Sequence, residues 1–357
     1  MKIKATLERV PGGLMLGPLL FGAALNTLDQ AHLPWIESAL RTLGASPLAN
    51  GHYEFLRLGA VPNVASFTES LFKTGATTLI ALFLLCVGSQ MTVQLGARAL
   101  GKGALLTGAK FAAGTAVGFA LGKLSDPFHG FLGLSTLAVV AAMTNGNGGL
   151  FAALTGQYGN RSDVGALSVL SLNDGPFLTM LALGLMGEKF PIVVFLGVLT
   201  PLALGMLLGN LDDDIRLFLQ PGEKLLVPFF AFALGSGMNL AVFTQDDLLL
   251  GGVTLGLMTV LVTGGAMWLA LTATGFRSRL AAFAEASVAG NAAFTPAALA
   301  AVAAASDSAN AAAYKSIAAT ATAQISIAVI TTALLCPLAV TLADRWQRSH
   351  GIDGRAE

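Results

Sequence analysis

Two carboxyl groups occur inside long apolar segments of this sequence, where an ionisable side chain is costly and often marks an ion or proton pathway. Asp174 lies in the string Ser171-Leu172-Asn173-Asp174-Gly175-Pro176. Glu285 lies at the start of a later segment, five or six residues before a Gly290-Asn291 pair. We expect both acids to carry a proton or bind a cation. Two alternatives stay open: backbone amides near Gly175 could satisfy Asp174, and Glu285 could be solvated close to the membrane surface.

Asparagine, glycine and proline interrupt two of these apolar segments. One contains Thr144-Asn145-Gly146-Asn147-Gly148-Gly149, and each glycine costs about 1 kcal/mol relative to alanine inside a helix. The other contains Gly290-Asn291 followed by Pro296, whose ring removes a helical hydrogen bond. Both patterns predict an interrupted helix. Close helix packing through small residues is the alternative reading of the glycines.

A broken helix in lipid is tolerated only where its free backbone groups are buried in protein or line a wet cavity. Half-helix N-termini suit an anion, while half-helix C-termini and free carbonyl groups suit a cation. The two interruptions therefore predict a site that holds both. Lys110, in another apolar segment, could neutralise a carboxylate, attract an acid or extend to the membrane surface. The predicted substrate-binding residues are Thr144, Asn145, Asn147, Gly148, Ser171, Asn173, Ser287, Asn291, Thr295 and Gln324.

Composition indicates a membrane protein. The chain is 54% hydrophobic and 11% charged, whereas soluble domains carry about 25% charged residues. The net charge is zero and no basic run occurs, which argues against nucleic acid as a partner. The strings HExxH and GxSxG are absent, which argues against two common hydrolase classes and, with histidines only in loops or near segment ends, against an enzyme. Cys86 and Cys336 fall inside apolar segments and predict neither a disulfide nor a metal site.

Ten segments have the length needed to cross about 30 Å of hydrocarbon. Thirteen Lys and Arg residues fall on one side of this arrangement and six on the other, which predicts that both termini face the cytoplasm. Residues 30–71 are interrupted by prolines and charges, and predict an extramembrane insert with short helices. The predicted spans are 11–29, 72–94, 103–122, 131–157, 164–186, 190–209, 225–243, 248–272, 280–304 and 313–342.

The sequence contains an internal repeat. Gly88-Ser89-Gln90-Met91 returns as Gly235-Ser236-Gly237-Met238, and Gly146-Asn147 returns as Gly290-Asn291, at offsets of 147 and 144 residues. Five spans per copy make the second copy inverted, an arrangement typical of alternating-access transporters. We predict a first repeat over 1–187, a second over 188–346 and a cytoplasmic tail over 347–357.

Several motifs resemble those of the 2-keto-3-deoxygluconate permease family, and the resemblance runs through nearly the whole chain. They are Arg9-Val10-Pro11-Gly12-Gly13, Gly133-Leu134-Ser135-Thr136-Leu137, Ala141-Ala142-Met143, Asn147-Gly148-Gly149-Leu150, Gln157-Tyr158-Gly159, Ser171-Leu172, Gly175-Pro176, Gly209-Asn210-Leu211-Asp212 and Pro228-Phe229-Phe230-Ala231-Phe232-Ala233-Leu234-Gly235.

The resemblance implies a bacterial inner-membrane transporter that takes up a sugar acid with protons and needs no cofactor. Through a more distant similarity to bile-acid sodium symporters, it also implies an all-α fold in which crossed broken helices, spans four and nine, lie in a core domain. The core would hold spans three to five and eight to ten, and a panel domain would hold the other four. An elevator-type movement of one domain against the other is expected.

This chain departs from the family pattern at the predicted site. The family has an acid where this chain has Thr144 and another where it has Asn173, and small or hydroxyl residues where it has Glu285 and Asn291. The sugar acid preferred, the coupling ion and homodimer formation therefore stay open. The alternative on the same fold is a sodium-coupled symporter of an organic anion, with Asn145, Ser171, Asn173 and Glu285 as oxygen ligands. An intramembrane enzyme and a passive channel are less favoured.

Overall fold

The computed structural model describes residues 2–7, 13–48, 50–61, 64–91, 97–170, 173, 175–188, 192–240, 246–306 and 308–355. Within these ranges the chain is helical and forms no β-strand, which confirms the predicted all-α class. The helices are α1 (Ile3–Leu7), α2 (Gly13–Gln30), α3 (Pro34–Thr42), α4 (Phe67–Phe72), α5 (Ala76–Gln90), α6 (Ala97–Leu124), α7 (Thr136–Thr144), α8 (Gly148–Tyr158), α9 (Arg161–Gly165), α10 (Leu167–Leu170), α11 (Phe177–Leu185), α12 (Ile192–Leu211), α13 (Asp213–Leu219), α14 (Gly222–Leu225), α15 (Val227–Gly235), α16 (Asp246–Met258), α17 (Gly264–Ala273), α18 (Leu280–Glu285), α19 (Thr295–Ala305) and α20 (Ala311–Ser349).

Five helical segments among the described residues are long and apolar enough to cross a membrane. They correspond to the third, fourth, eighth, ninth and tenth predicted spans; the remaining five spans stay predictions. Helix α20, which corresponds to the tenth predicted span, has 39 residues, or about 58 Å at 1.5 Å per residue. It extends beyond the predicted 313–342 at both ends. The five segments are Arg98–Leu124, Thr136–Tyr158, Asp247–Ala273, Leu280–Ala305 and Ala311–Ser349.

The chain forms two compact units. The first comprises Met1–Phe83 and Pro221–Gln245, and in it α2 packs along α15. The region 30–71 of this unit contains α3, α4 and a short 3₁₀ turn at Phe55–Arg57. The Asp29 carboxylate ties this region to α2 by accepting hydrogen bonds from the Phe55 and Leu56 amides at 2.8 and 3.0 Å.

The second unit comprises Leu84–Gln220 and Asp246–Glu357 and contains every predicted site residue. Its two longest helices are α6 and α20: α7 packs against α6, and both α16 and α19 pack against α20. Leu106, Phe151, Met267 and Leu271 lie at the centre of an apolar core, together with alanines of α18.

The two copies of the Gly-Ser-x-Met string make equivalent contacts. In the first unit, a Cβ on Gly235 would lie 2.0 Å from the Leu19 carbonyl oxygen of α2; in the second, a Cβ on Gly88 would lie 2.1 Å from the Leu202 carbonyl oxygen of α12. Only glycine permits either approach. The serine after each glycine donates to the carbonyl oxygen three residues before it: Ser236 to Ala233 at 2.8 Å and Ser89 to Cys86 at 2.7 Å.

An asparagine completes each of these contacts. The amide Nδ2 of Asn26 donates to the Met238 carbonyl oxygen at 2.9 Å in the first unit. That of Asn210 donates to the Met91 carbonyl oxygen at 2.7 Å in the second. The sequence repeat is thus also a repeat of helix contacts.

Both predicted interruptions are present. α7 ends at Thr144 and α8 begins at Gly148, where Asn147 caps α8 by accepting a hydrogen bond from the Leu150 amide at 3.0 Å. The ninth span is α18, then an irregular stretch and a 3₁₀ turn at Gly290–Phe294, then α19. The sequence did not predict a third interruption, between α10 and α11. There Gly175 adopts φ +94°, and Pro176 precedes the first residue of α11.

Candidate functional site

The interruptions of the fourth and ninth spans meet inside the second unit. α8 contacts α18, and α7 contacts both α19 and the 3₁₀ turn before it. A hydrogen bond of 3.1 Å joins the two irregular stretches directly, from the main-chain N–H of Asn147 to the Ser287 hydroxyl oxygen. The two predicted interruptions therefore form one junction of helix ends.

Glu285 lies at the centre of this junction. It is the last residue of α18, so it stands at the interruption itself and not five or six residues before it, as the sequence suggested. Its side chain is 1% exposed, which excludes the solvated alternative. Oε1 accepts a hydrogen bond from Asn173 Nδ2 at 3.1 Å, whereas Oε2 is buried with no hydrogen-bond partner in the described part of the chain. An incompletely satisfied carboxylate of this kind is available for a proton or a ligand.

Lys110 of α6 provides a positive charge at the same place. Its side chain is 0% exposed, and its Nζ lies 3.2 Å from Glu285 Oε1. The ammonium also donates to the main-chain carbonyl oxygens of Glu285 at 2.5 Å and Ser287 at 2.9 Å. These carbonyls follow the last turn of α18, where a helix leaves acceptors without intrahelical donors. Of the three roles open for Lys110, the structure shows the neutralisation of a carboxylate.

Gly146 allows the two interruptions to approach each other this closely. A Cβ at this position would lie 1.9 Å from Glu285 Oε1. Real Cβ atoms do not come that close to an oxygen, so any larger residue would displace the carboxylate. The glycine between the two asparagines is therefore a requirement of the junction.

The remaining predicted residues of the junction differ in whether their polar side-chain atoms have hydrogen-bond partners. Asn145 donates to the Gly175 carbonyl oxygen at 3.4 Å, and its own Oδ1 is buried without a hydrogen-bond partner among the described residues. Thr295 begins α19, and its Oγ1 is buried and similarly unpartnered in the described ranges. By contrast, Thr144 donates to the Val140 carbonyl oxygen of its own helix at 2.8 Å. Gly148 begins α8, and Asn291 is buried in the 3₁₀ turn.

Gln324 lies at a different place from the other predicted residues. Its Nε2 donates to the Gly133 carbonyl oxygen at 3.1 Å, beside the beginning of α7 and not its end. Ser171 and Asp174 lie outside the described residues, so their predicted roles stay predictions.

A second buried ion pair was not predicted from sequence. Lys102 and Asp163 are 1% and 0% exposed and form a salt bridge between α6 and α9. Asp163 Oδ2 also accepts hydrogen bonds from the Asn160 amide at 3.1 Å and from the Ser278 hydroxyl at 3.2 Å. The spacing Asn160-x-x-Asp163 is a capping box and was a readable signal for this buried acid. The charge count had placed Lys102 in a loop at the cytoplasmic side.

A cavity of about 310 Å³ in the second unit does not coincide with the junction. Its lining includes Lys123, Glu188, Asn310 and Tyr314, and none of the predicted site residues. Lys123 and Glu188 belong to segments predicted to face outward. We assign the chemistry to the junction, because the Lys110–Glu285 pair lies there together with the buried Glu285 Oε2, Asn145 Oδ1 and Thr295 Oγ1, which have no hydrogen-bond partner among the described residues.

Known proteins resemble this chain along most of its length. A sequence profile of the 2-keto-3-deoxygluconate permease family matches residues 57–349. The 2-keto-3-deoxygluconate permease 1 of Salmonella typhimurium is 41% identical over 339 residues, covering 95% of this chain and 94% of the relative. The 2-keto-3-deoxygluconate permease of Escherichia coli O7:K1 is 34% identical over 354 residues, covering 98% of this chain and 95% of the relative.

Proposed function

The chain belongs to the 2-keto-3-deoxygluconate permease family, and we propose that it imports 2-keto-3-deoxygluconate or a related sugar acid by proton symport. As a member of this family it is a multi-pass membrane transporter and not an enzyme. The observation that carries the proposal is the junction of two interrupted helices around buried Glu285 and Lys110.

The junction has the chemistry that a sugar acid needs. The N-termini of α8 and α19 present amide groups and partial positive charge toward a carboxylate. Asn145 Oδ1 and Thr295 Oγ1 are buried polar atoms without hydrogen-bond partners in the described ranges, and both can bond sugar hydroxyl groups. Asn147, Ser287 and Asn291 complete the predicted polar lining.

The coupling proton is proposed to travel on Asp174, with Glu285 as the second acid. Glu285 supports this role because its Oε2 lacks a hydrogen-bond partner among the described residues. A proton on that oxygen would reduce the net negative charge of the site as the anionic substrate enters. The contact of Asn173 with Glu285 supports a role at this site for the predicted residues next to it in the sequence, Ser171 and Asp174.

Transport is proposed to follow alternating access of elevator type, with two inverted five-span repeats. The equivalent contacts of Gly88 with α12 and Gly235 with α2 support an internal repeat. Thirteen Lys and Arg residues on one side against six on the other support a bacterial inner-membrane orientation with both termini in the cytoplasm.

Uptake of labelled 2-keto-3-deoxygluconate into proteoliposomes tests the proposal. A pH gradient alone should drive accumulation, and a sodium gradient alone should not. Accumulation with sodium only would instead establish the sodium-coupled alternative. Asp174→Asn should abolish proton-driven accumulation while Asp126→Asn, in an exposed loop, should leave it unchanged. Full proton-driven uptake by Asp174→Asn would remove Asp174 from the mechanism.

A further inference from the structure

The Lys110 ammonium lies among three oxygen atoms of the ninth span. Two are main-chain carbonyl oxygens, of Glu285 at 2.5 Å and Ser287 at 2.9 Å, and the third is Glu285 Oε1 at 3.2 Å. Lys110 is 0% exposed, so the ammonium is shielded from bulk solvent. Carbonyl and carboxylate oxygens are the ligand type that hard cations use in proteins.

The stretch that carries these oxygens is also held by parts of the chain other than Lys110. α18 ends at Glu285 and the chain continues without helical geometry, which leaves the Glu285 and Ser287 carbonyls available at the interruption. The same stretch is held from other directions. The Val288 amide donates to Thr332 Oγ1 of α20 at 3.0 Å, and Ser287 Oγ accepts from the Asn147 amide. Without the ammonium, this arrangement would leave a buried carboxylate and two carbonyls facing one another.

We propose that these oxygens form a monovalent-cation site and that the Lys110 ammonium occupies it as a tethered cation. The lysine supplies the positive charge that a free ion would otherwise bring, so no ion has to be bound from solution. Its four-carbon chain fixes the charge to α6, so the charge cannot leave with the substrate. If the proposed proton symport is correct, on which this consequence rests, the chain needs no sodium at this position.

Thermal unfolding of the purified full chain in detergent tests the proposal without any transport step. Lys110→Ala removes the ammonium and opens the space that the side chain filled. Sodium, potassium or propylammonium, which matches the three carbons and nitrogen removed, should then raise the unfolding midpoint by about 3 °C or more over choline at equal ionic strength. The wild-type midpoint should not differ between these salts.

Two matched variants separate cation binding from general salt effects. Lys110→Met removes the charge but fills the space, so small cations should leave its midpoint unchanged. The double variant Lys110→Ala and Glu285→Gln also removes the carboxylate. The rise in its unfolding midpoint with these cations should be less than a third of the rise seen for Lys110→Ala alone.

Three results would overturn the proposal. They are a Lys110→Ala midpoint that is the same in all four salts, a wild-type midpoint that rises with sodium as much as that of the variant, and a Lys110→Ala protein that cannot be recovered folded with any of the cations. Each is independent of uptake. Failure of wild-type uptake with every sugar acid would instead contradict the proposed function and leave the stability comparison intact.

Discussion

Asn173 donates a hydrogen bond of 3.1 Å to Glu285 Oε1, across 112 positions of the chain. This contact brings a residue of the fifth predicted span against the buried acid of the ninth. A carboxyl group at position 173 would therefore lie next to the place that the Glu285 carboxylate occupies. Lys110 faces it there.

This proximity predicts that the carboxylate can be moved from position 285 to position 173. Glu285→Ser should reduce uptake at least tenfold, because it leaves Lys110 buried without this carboxylate, and breaking a buried pair costs about 3–5 kcal/mol. Glu285→Ser combined with Asn173→Asp should recover most of the uptake. Initial uptake rates in proteoliposomes, at equal protein content, measure both. A double variant no better than the single one would show that the carboxylate must come from the ninth span.

Gly146→Ala should abolish uptake. The added Cβ would lie 1.9 Å from Glu285 Oε1 and must displace the carboxylate from Lys110 and Asn173. Gly156→Ala is the matched control, since a Cβ at that position in α8 meets nothing within 4 Å. The control should retain uptake and gain up to about 1 kcal/mol of helix stability. Equal behaviour of the two variants, in uptake and in thermal unfolding, would contradict the close approach at Gly146.

Lys102→Met should strongly destabilise the protein. It leaves Asp163 as a buried carboxylate without its cation, a change worth about 3–5 kcal/mol. Asp213→Asn is the control: it removes the partner of Arg216, but Asp213 is 76% exposed, so less than about 1 kcal/mol is expected. Denaturant unfolding in detergent compares the two. Similar losses would mean that Asp163 is satisfied by Asn160 and Ser278 alone.

The insert should lose local stability in acid. A hydrogen bond from His52, at 2.7 Å, holds the pKa of Glu37 below its ordinary value of 4.5. Because the folded pKa is the lower one, the contribution of Glu37 to stability is full above pH 4.5 and is lost as the pH falls through the lowered value. Hydrogen exchange of the α3 amides, corrected for intrinsic rates, should show protection falling over this range.

His52→Ala provides the comparison for that measurement. The variant should start with less protection in α3 and lose less of it on acidification, because the pKa of Glu37 returns toward that of a free side chain. Identical profiles for the variant and the wild type would separate the stability of α3 from the Glu37–His52 contact.

Local backbone chemistry explains why the interruptions were predictable. Glycine, asparagine and proline disfavour helix wherever they occur, so the breaks at Asn145 and Gly290 follow from residue type alone. The predicted position of Glu285 relative to the interruption was less accurate. The irregular stretch begins at Ala286, among residues with good helix propensity. There the Lys110 and Asn147 contacts, made from distant parts of the chain, override local preference.

Pairings over long distances in the sequence were not predictable. Lys110 and Glu285 are 175 positions apart, and neither residue type specifies the other. Gln324 was predicted to bind substrate together with the residues of the junction. The side chain points to Gly133 instead, because a repeat constrains backbone contacts, as at Gly88 and Gly235, more closely than single polar side chains.

Lys102 and Lys110 lie eight positions apart on α6, about 12 Å along its axis. One is bound to α9 through Asp163 and the other to α18 through Glu285. Because α6 is held at two points by two different helices, it resists both rotation about its axis and translation along it. Mechanically, α6, α9 and α18 are therefore linked into one rigid body, so that a displacement of any one of them also moves the interruption at Glu285.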